Sequence, residues 1–174
     1  MIEGGKGGAN TLTGLNFEKR IDLRENFKKI KDYSVEGNDL KYKGKSVAKF
    51  FKKFELYNKL LKQKNIDWKK RISKKLLPDE SIFVLSNNTL FIIEMKFQKV
   101  AGSVDEKLQT CDFKKKQYEK LFSGTRIKIE YCYILSNWFL HTSYKDTLNY
   151  IESVNCKYFF ENLPFEYLGL PHPN

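Results

Sequence analysis

The chain has 174 residues, 41% of them hydrophobic and 15% aromatic, with 32 Lys and Arg against 21 Asp and Glu for a net charge of +11. That length and composition suit one globular domain, over 1–174, with a single substantial core, and they exclude a disordered polar tail. The chain holds no run of 18 uncharged apolar residues, so no membrane span is expected.

In chain order, "MIEGGKGGANTLTG" reads as flexible polar backbone over residues 1–16 and lacks the apolar stretch of a signal peptide, so a cytoplasmic location is the expectation. Phe17 to Lys31 suits an amphipathic helix with Phe17, Ile21, Phe27 and Ile30 on one face, and "VEGN" ends it. A second helix is expected after a Ser46 cap, where Val47, Phe50, Phe51, Phe54, Tyr57 and Leu61 recur at three and four among lysines. Charge concentrates here: residues 41–75 hold fourteen basic residues against Glu55 and Asp67, a local net of +12. A one-sided basic field points to a polyanion such as nucleic acid, with a solvated helix face or an anionic membrane surface as the competing explanations.

After Pro78, "SIFVL" and "TLFIIEMKF" are β-rich runs on either side of "SNN", a hairpin. Ser103 and Glu106 match a capping box at the start of a helix that continues through Leu108, Cys111, Lys115, Tyr118 and Phe122, the Lys115 stem allowing partial burial. "RIKIEYCYILS" reads as a central strand, followed by a short helix near 144–153 and an extended stretch near 157–160. The tail "LPFEYLGLPHPN" is expected to be irregular surface or a dimer contact. The sum is an α/β fold, a mixed β-sheet flanked by helices. Cys111, Cys132 and Cys156 are too widely spaced for a zinc motif and read as reduced packing residues, and two unclustered histidines give no support to a histidine-based zinc site or a Ser-His-Asp triad.

The chemistry sits in "FIIEMKFQK". Alternation along a strand puts Glu94, Lys96 and Gln98 on one face and Met95 and Phe97 on the other. A hairpin centred on Asn87 brings Asp79 opposite residue 95, within reach of Glu94. Two carboxylates that close repel unless a cation lies between them, and a hard ion such as Mg²⁺ prefers such oxygen ligands. Lys96 is then a positive charge placed to orient or deprotonate a water and to hold the charge of a pentacovalent phosphate.

"PD" at 78–79 followed by "EMK" at 94–96 resembles the PD-(D/E)XK nuclease superfamily, and "EMKFQKVAGSVDEKLQTCDF" with "GGANTLTGLNFE" is similar to its type II restriction endonucleases, over roughly residues 4–122. The resemblance implies a restriction-endonuclease-like core with Asp79, Glu94 and the main-chain carbonyl of Met95 as ligands of Mg²⁺, Lys96 as catalytic lysine and Gln98 as a supporting polar group. Glu18 matches an acidic residue that reaches the metal through water, or is a first-turn glutamate favouring the helix dipole. Glu80 is the rival to Asp79 should the register shift by one residue. Lys107, Lys114, Lys115, Lys116 and Gln117 are candidate contacts to double-stranded DNA, as is "SNWFLHTSYK" at 136–145. The implied enzyme is a site-specific homodimer with a companion DNA methyltransferase. Another nuclease on the same scaffold, for repair or junction cleavage, and a non-catalytic DNA-binding protein are the competing functions.

Overall fold

The computed structural model describes residues 22–98 and 104–173. Segment 1–16, the first part of the expected opening helix with Glu18, and the Ser103 cap lie outside the described residues. The centre is one seven-stranded sheet in sequential order: β1 (Tyr33–Glu36), β2 (Asp39–Tyr42), β3 (Lys45–Phe51), β4 (Glu80–Val84), β5 (Thr89–Lys96), β6 (Lys128–Leu135) and β7 (Lys157–Phe160). Strands β1 to β5 form an antiparallel meander, whereas β5, β6 and β7 run parallel. Parallel neighbours need crossovers. These are α2 (Val104–Leu108) with α3 (Cys111–Leu121), and then α4 (Lys145–Ser153).

Helices cover both faces. A π-helical segment (Leu56–Leu61), α2, α3 and α4 pack on one side through Leu60, Leu61, Leu108, Tyr118, Leu121 and Ile151. On the other side, α1 (Leu23–Lys28) and α5 (Phe165–Leu168) bury Leu23, Phe27 and Leu168. In the described residues α1 begins behind Asp22, whose carboxylate accepts from the Arg24 and Glu25 amides at 3.0 and 3.2 Å. The tail is not irregular surface. Leu168 and Leu170 are buried against the chain's own sheet, and the Tyr33 hydroxyl donates to the Pro171 carbonyl.

The helix expected from Ser46 to Leu61 is the main difference. Residues 45–51 are strand β3, and helical geometry begins only near Leu56. Phe50 and Phe51 explain why: both are buried, one in each core layer, and consecutive side chains reach opposite layers only from a strand. Two tight turns make the meander that the sequence reading passed over. Gly37 takes a positive φ between β1 and β2, and Lys43 and Gly44 (φ 47° and 77°) form a two-residue mirror-image turn between β2 and β3.

Where β3 hands over to the π-helical segment, Glu55 accepts from the Lys52 amide at 2.9 Å, from Lys59 Nζ at 2.7 Å and from the Arg24 guanidinium of α1. Burial alone would raise its pKa, but these donors outweigh it and hold the carboxyl down at about 2. Because the folded value lies below the ordinary 4.5, the contribution to stability is present above pH 4.5 and disappears as pH falls through 2. Glu55→Gln is therefore expected to cost about 1 kcal/mol at pH 7, allowing for solvent screening of a partly exposed group, and progressively less as pH falls towards and below the folded pKa. Urea midpoints across pH measure the difference.

Candidate active site

The site forms where β4 begins and β5 ends. Pro78 precedes β4, and its carbonyl is held by the Lys53 amide at 3.0 Å, which fixes the chain's entry into the strand. Glu80 pairs with Ile93, so Asp79 falls opposite Glu94 at the open end of the hairpin. There the Asp79 side chain replaces a ladder partner, its Oδ2 accepting from the Met95 amide at 2.8 Å. Lys96 Nζ lies 3.0 Å from Glu94 Oε2, 3.6 Å from Asp79 Oδ2 and 3.2 Å from the Met95 carbonyl. Lys114, from the first turn of α3, puts its Nζ 3.3 Å from the same Glu94 Oε2. The hairpin thus brings Asp79, Glu94, the Met95 carbonyl and Lys96 together, at the carboxyl ends of parallel strands, where open α/β sheets place ligands.

These groups are largely withdrawn from solvent. Side-chain exposures are 17% for Asp79, 8% for Glu94 and 19% for Lys96. Burial pushes the Asp79 carboxyl up, only partly countered by Lys96, and Glu94 adds to the rise. Burial also opposes the charge on Lys96, but Glu94 and Asp79 outweigh it and leave the ammonium above its usual pKa. Lys96 is therefore a cation at neutral pH in this arrangement, suited to neutralising charge rather than taking a proton.

Behind the carboxylates stands a phenolic wall of Tyr118 from α3 and Tyr131 and Tyr133 from β6, all fully buried. The Tyr133 hydroxyl donates to the carbonyls of Leu108 and Lys107 at 3.1 and 3.3 Å, seating the corner between α2 and α3. Among the described residues the Tyr118 hydroxyl has no hydrogen-bond partner; burial first and Glu94 second drive its pKa far up. Gln98, just past β5, is buried, with its main chain held by Ser136: the Gln98 amide donates to Ser136 Oγ at 3.4 Å. Among the described residues neither atom of its side-chain amide has a partner.

A divalent cation fits this donor set. Asp79, Glu94 and the Met95 carbonyl are all oxygen donors, as Mg²⁺ prefers. Asp79 and Glu94 form a two-carboxylate site; the described residues hold no cluster of three or more His, Cys, Asp and Glu placed for a metal. All three cysteines are buried thiols.

The remaining sequence candidates divide. Glu80 faces the opposite layer, fully buried, with Lys52 Nζ at 3.4 Å and Arg24 at 3.9 Å. Of the α3 residues, Lys115 donates to the Asn155 carbonyl at 2.7 Å, and Lys116, 67% exposed, bridges to Asp112 on its own helix at 2.7 Å. Gln117 is half-buried and Lys107 exposed. Tyr118 and Tyr131 were not foreseen as parts of the site, although the i, i+4 spacing of Lys114 and Tyr118 signals a shared helix face.

No protein-family model, curated protein or solved structure matches this chain significantly. What the fold defines is a mixed α/β protein with a seven-stranded mixed sheet. Among the described residues no helix is long and apolar enough to cross a membrane.

If the carboxylates hold a divalent ion, Ca²⁺ will raise the melting temperature. Saturation at a hundred times Kd corresponds to about 2.7 kcal/mol. Asp79→Asn and Glu94→Gln are each expected to abolish the shift in differential scanning fluorimetry. A shift of wild-type size in both variants would put the ion elsewhere.

Proposed function

We propose that the chain is a Mg²⁺-dependent endonuclease of the PD-(D/E)XK type with a restriction-endonuclease-like core, acting as a type II restriction enzyme on double-stranded DNA. The observation that carries this reading is one half-buried ammonium, Lys96, 3.0 and 3.6 Å from two carboxylates at a hairpin's open end. Pairing of that kind is costly to bury for stability alone and is typical of sites whose charges act on a ligand.

Asp79, Glu94 and the Met95 carbonyl would hold Mg²⁺, which when bound supplies positive charge to a phosphate and acidifies a water. In the reaction a water oxygen bonds to phosphorus, one ester P–O bond breaks, and protons are exchanged with solvent. Lys96 holds the negative charge that gathers on the non-bridging oxygens. The phenolic wall keeps bulk water off the carboxylates, which strengthens each of these attractions. Gln98, just past the end of β5, offers a side-chain amide that has no partner among the described residues. Exposed Lys107 and Lys116 and half-buried Gln117 would be contacts to the duplex backbone, where phosphate contacts set affinity. Cutting both strands of a palindrome calls for a two-fold dimer, and a cell carrying such an enzyme needs a methyltransferase to protect its own sites.

Digestion of bacteriophage DNA with and without Mg²⁺ tests the proposal. Discrete fragments are expected with Mg²⁺ only, and Lys96→Ala and Glu94→Ala are each expected to lower the cleavage rate at least a hundredfold. Cleavage of branched but not linear duplex would favour the repair or junction enzyme. Binding with no cleavage under any divalent ion would favour the non-catalytic protein.

A further inference from the structure

Three consecutive lysines on α3 have three different fates. Lys116 bridges to Asp112 in solvent. Lys115 is 12% exposed and ties α3 to the Asn155 carbonyl and to Glu130 of β6. Lys114 alone enters the site, 27% exposed, with its ammonium 3.3 Å from Glu94 Oε2. That oxygen already has Lys96 at 3.0 Å, so it carries two cations while Asp79 shares one of them.

Charge accounting gives the second ammonium a purpose. Asp79 and Glu94 contribute two negative charges, which a divalent ion held there would cancel. A phosphodiester attacked by hydroxide carries two negative charges in its pentacovalent state. Lys96 can balance one of them. Lys114, on a flexible stem at the half-open rim, can turn from Glu94 to a non-bridging oxygen and balance the other. Resting against Glu94, it also keeps the carboxylate pair neutral until an ion arrives.

We propose that Lys114 is a second catalytic lysine, which guards the carboxylates in the ion-free protein and binds the scissile phosphate during cleavage. This rests on the nuclease reading above. Both lysines act by charge.

The test compares wild type with Lys114→Gln, Lys114→Arg and, as a control at the opposite end of β6, Lys128→Gln. With the competing ammonium gone, Lys114→Gln is expected to bind Ca²⁺ several-fold more tightly by calorimetry. The same variant should bind duplex DNA in Ca²⁺ more weakly, with the slope of log K against log salt reduced by about one, and cleave under single turnover about 10- to 100-fold more slowly. Lys114→Arg should recover much of the rate, and Lys128→Gln should behave as wild type. A merely structural lysine would lose Ca²⁺ and DNA affinity together, and that result overturns the proposal. So does a Lys114→Gln enzyme that cuts at the wild-type rate. A wild-type protein that cuts no DNA overturns the parent reading instead.

Discussion

The register of the β4–β5 hairpin is the constraint on which the site depends. Five residue pairs from Glu80↔Ile93 to Val84↔Thr89 fix it, and both strands are buried on both faces, so slipping by one residue would turn every side chain into the wrong core layer. Hydrophobic pairing along the hairpin thereby sets where Asp79 and Glu94 meet. The bond from the Met95 amide to Asp79 Oδ2 extends that ladder by one step, using a side chain where the backbone has run out. The core holds the acids together against their mutual repulsion.

Much of the basic segment 41–75 is already engaged in the fold. Lys49 pairs with Asp39, Lys52 with Asp22 and Glu80, and Lys59 with Glu55. Lys75 lies over the rings of Trp68, Tyr57 and Phe54 at 4.9–5.6 Å. Arg71 reaches the carbonyls of Leu121 and Ser123 past the end of α3, the favourable place for a cation on a helix. The net charge is thus a poorer guide to a DNA-facing surface than its sum suggests, because several of its members have structural partners.

Legibility in the sequence followed the range of the interactions involved. The hairpin, β6, α4 and β7 come from local periodicity and lie where the sequence puts them, whereas the single helix expected from Ser103 through Phe122 is broken at Gln109–Thr110 into α2 and α3. The meander β1–β3 was obscured because Val47, Phe50, Phe51 and Phe54 satisfy a helical spacing as well as a strand's alternation. The signals able to separate the two were Gly37 and the Lys43–Gly44 pair, whose positive φ angles close two-residue hairpins. Asp79, Glu94 and Lys96 could be assembled from sequence because a single hairpin joins them. The arrival of Lys114 could not, since it depends on a crossover that carries α3 back over the strand end, a contact twenty residues away along the chain. The same holds for Tyr131, which reaches the site from a parallel neighbour.

Asp79 and Glu80 are adjacent acids sent to opposite sides of one sheet, and each meets its own cations: Lys96 above, Lys52 and Arg24 below. The peptide between them is a hinge pin common to both layers. Arg24 of α1 comes within 3.9 Å of the carboxylate next in sequence to Asp79, so the helix on the underside and the candidate site on the upper face share one stretch of backbone.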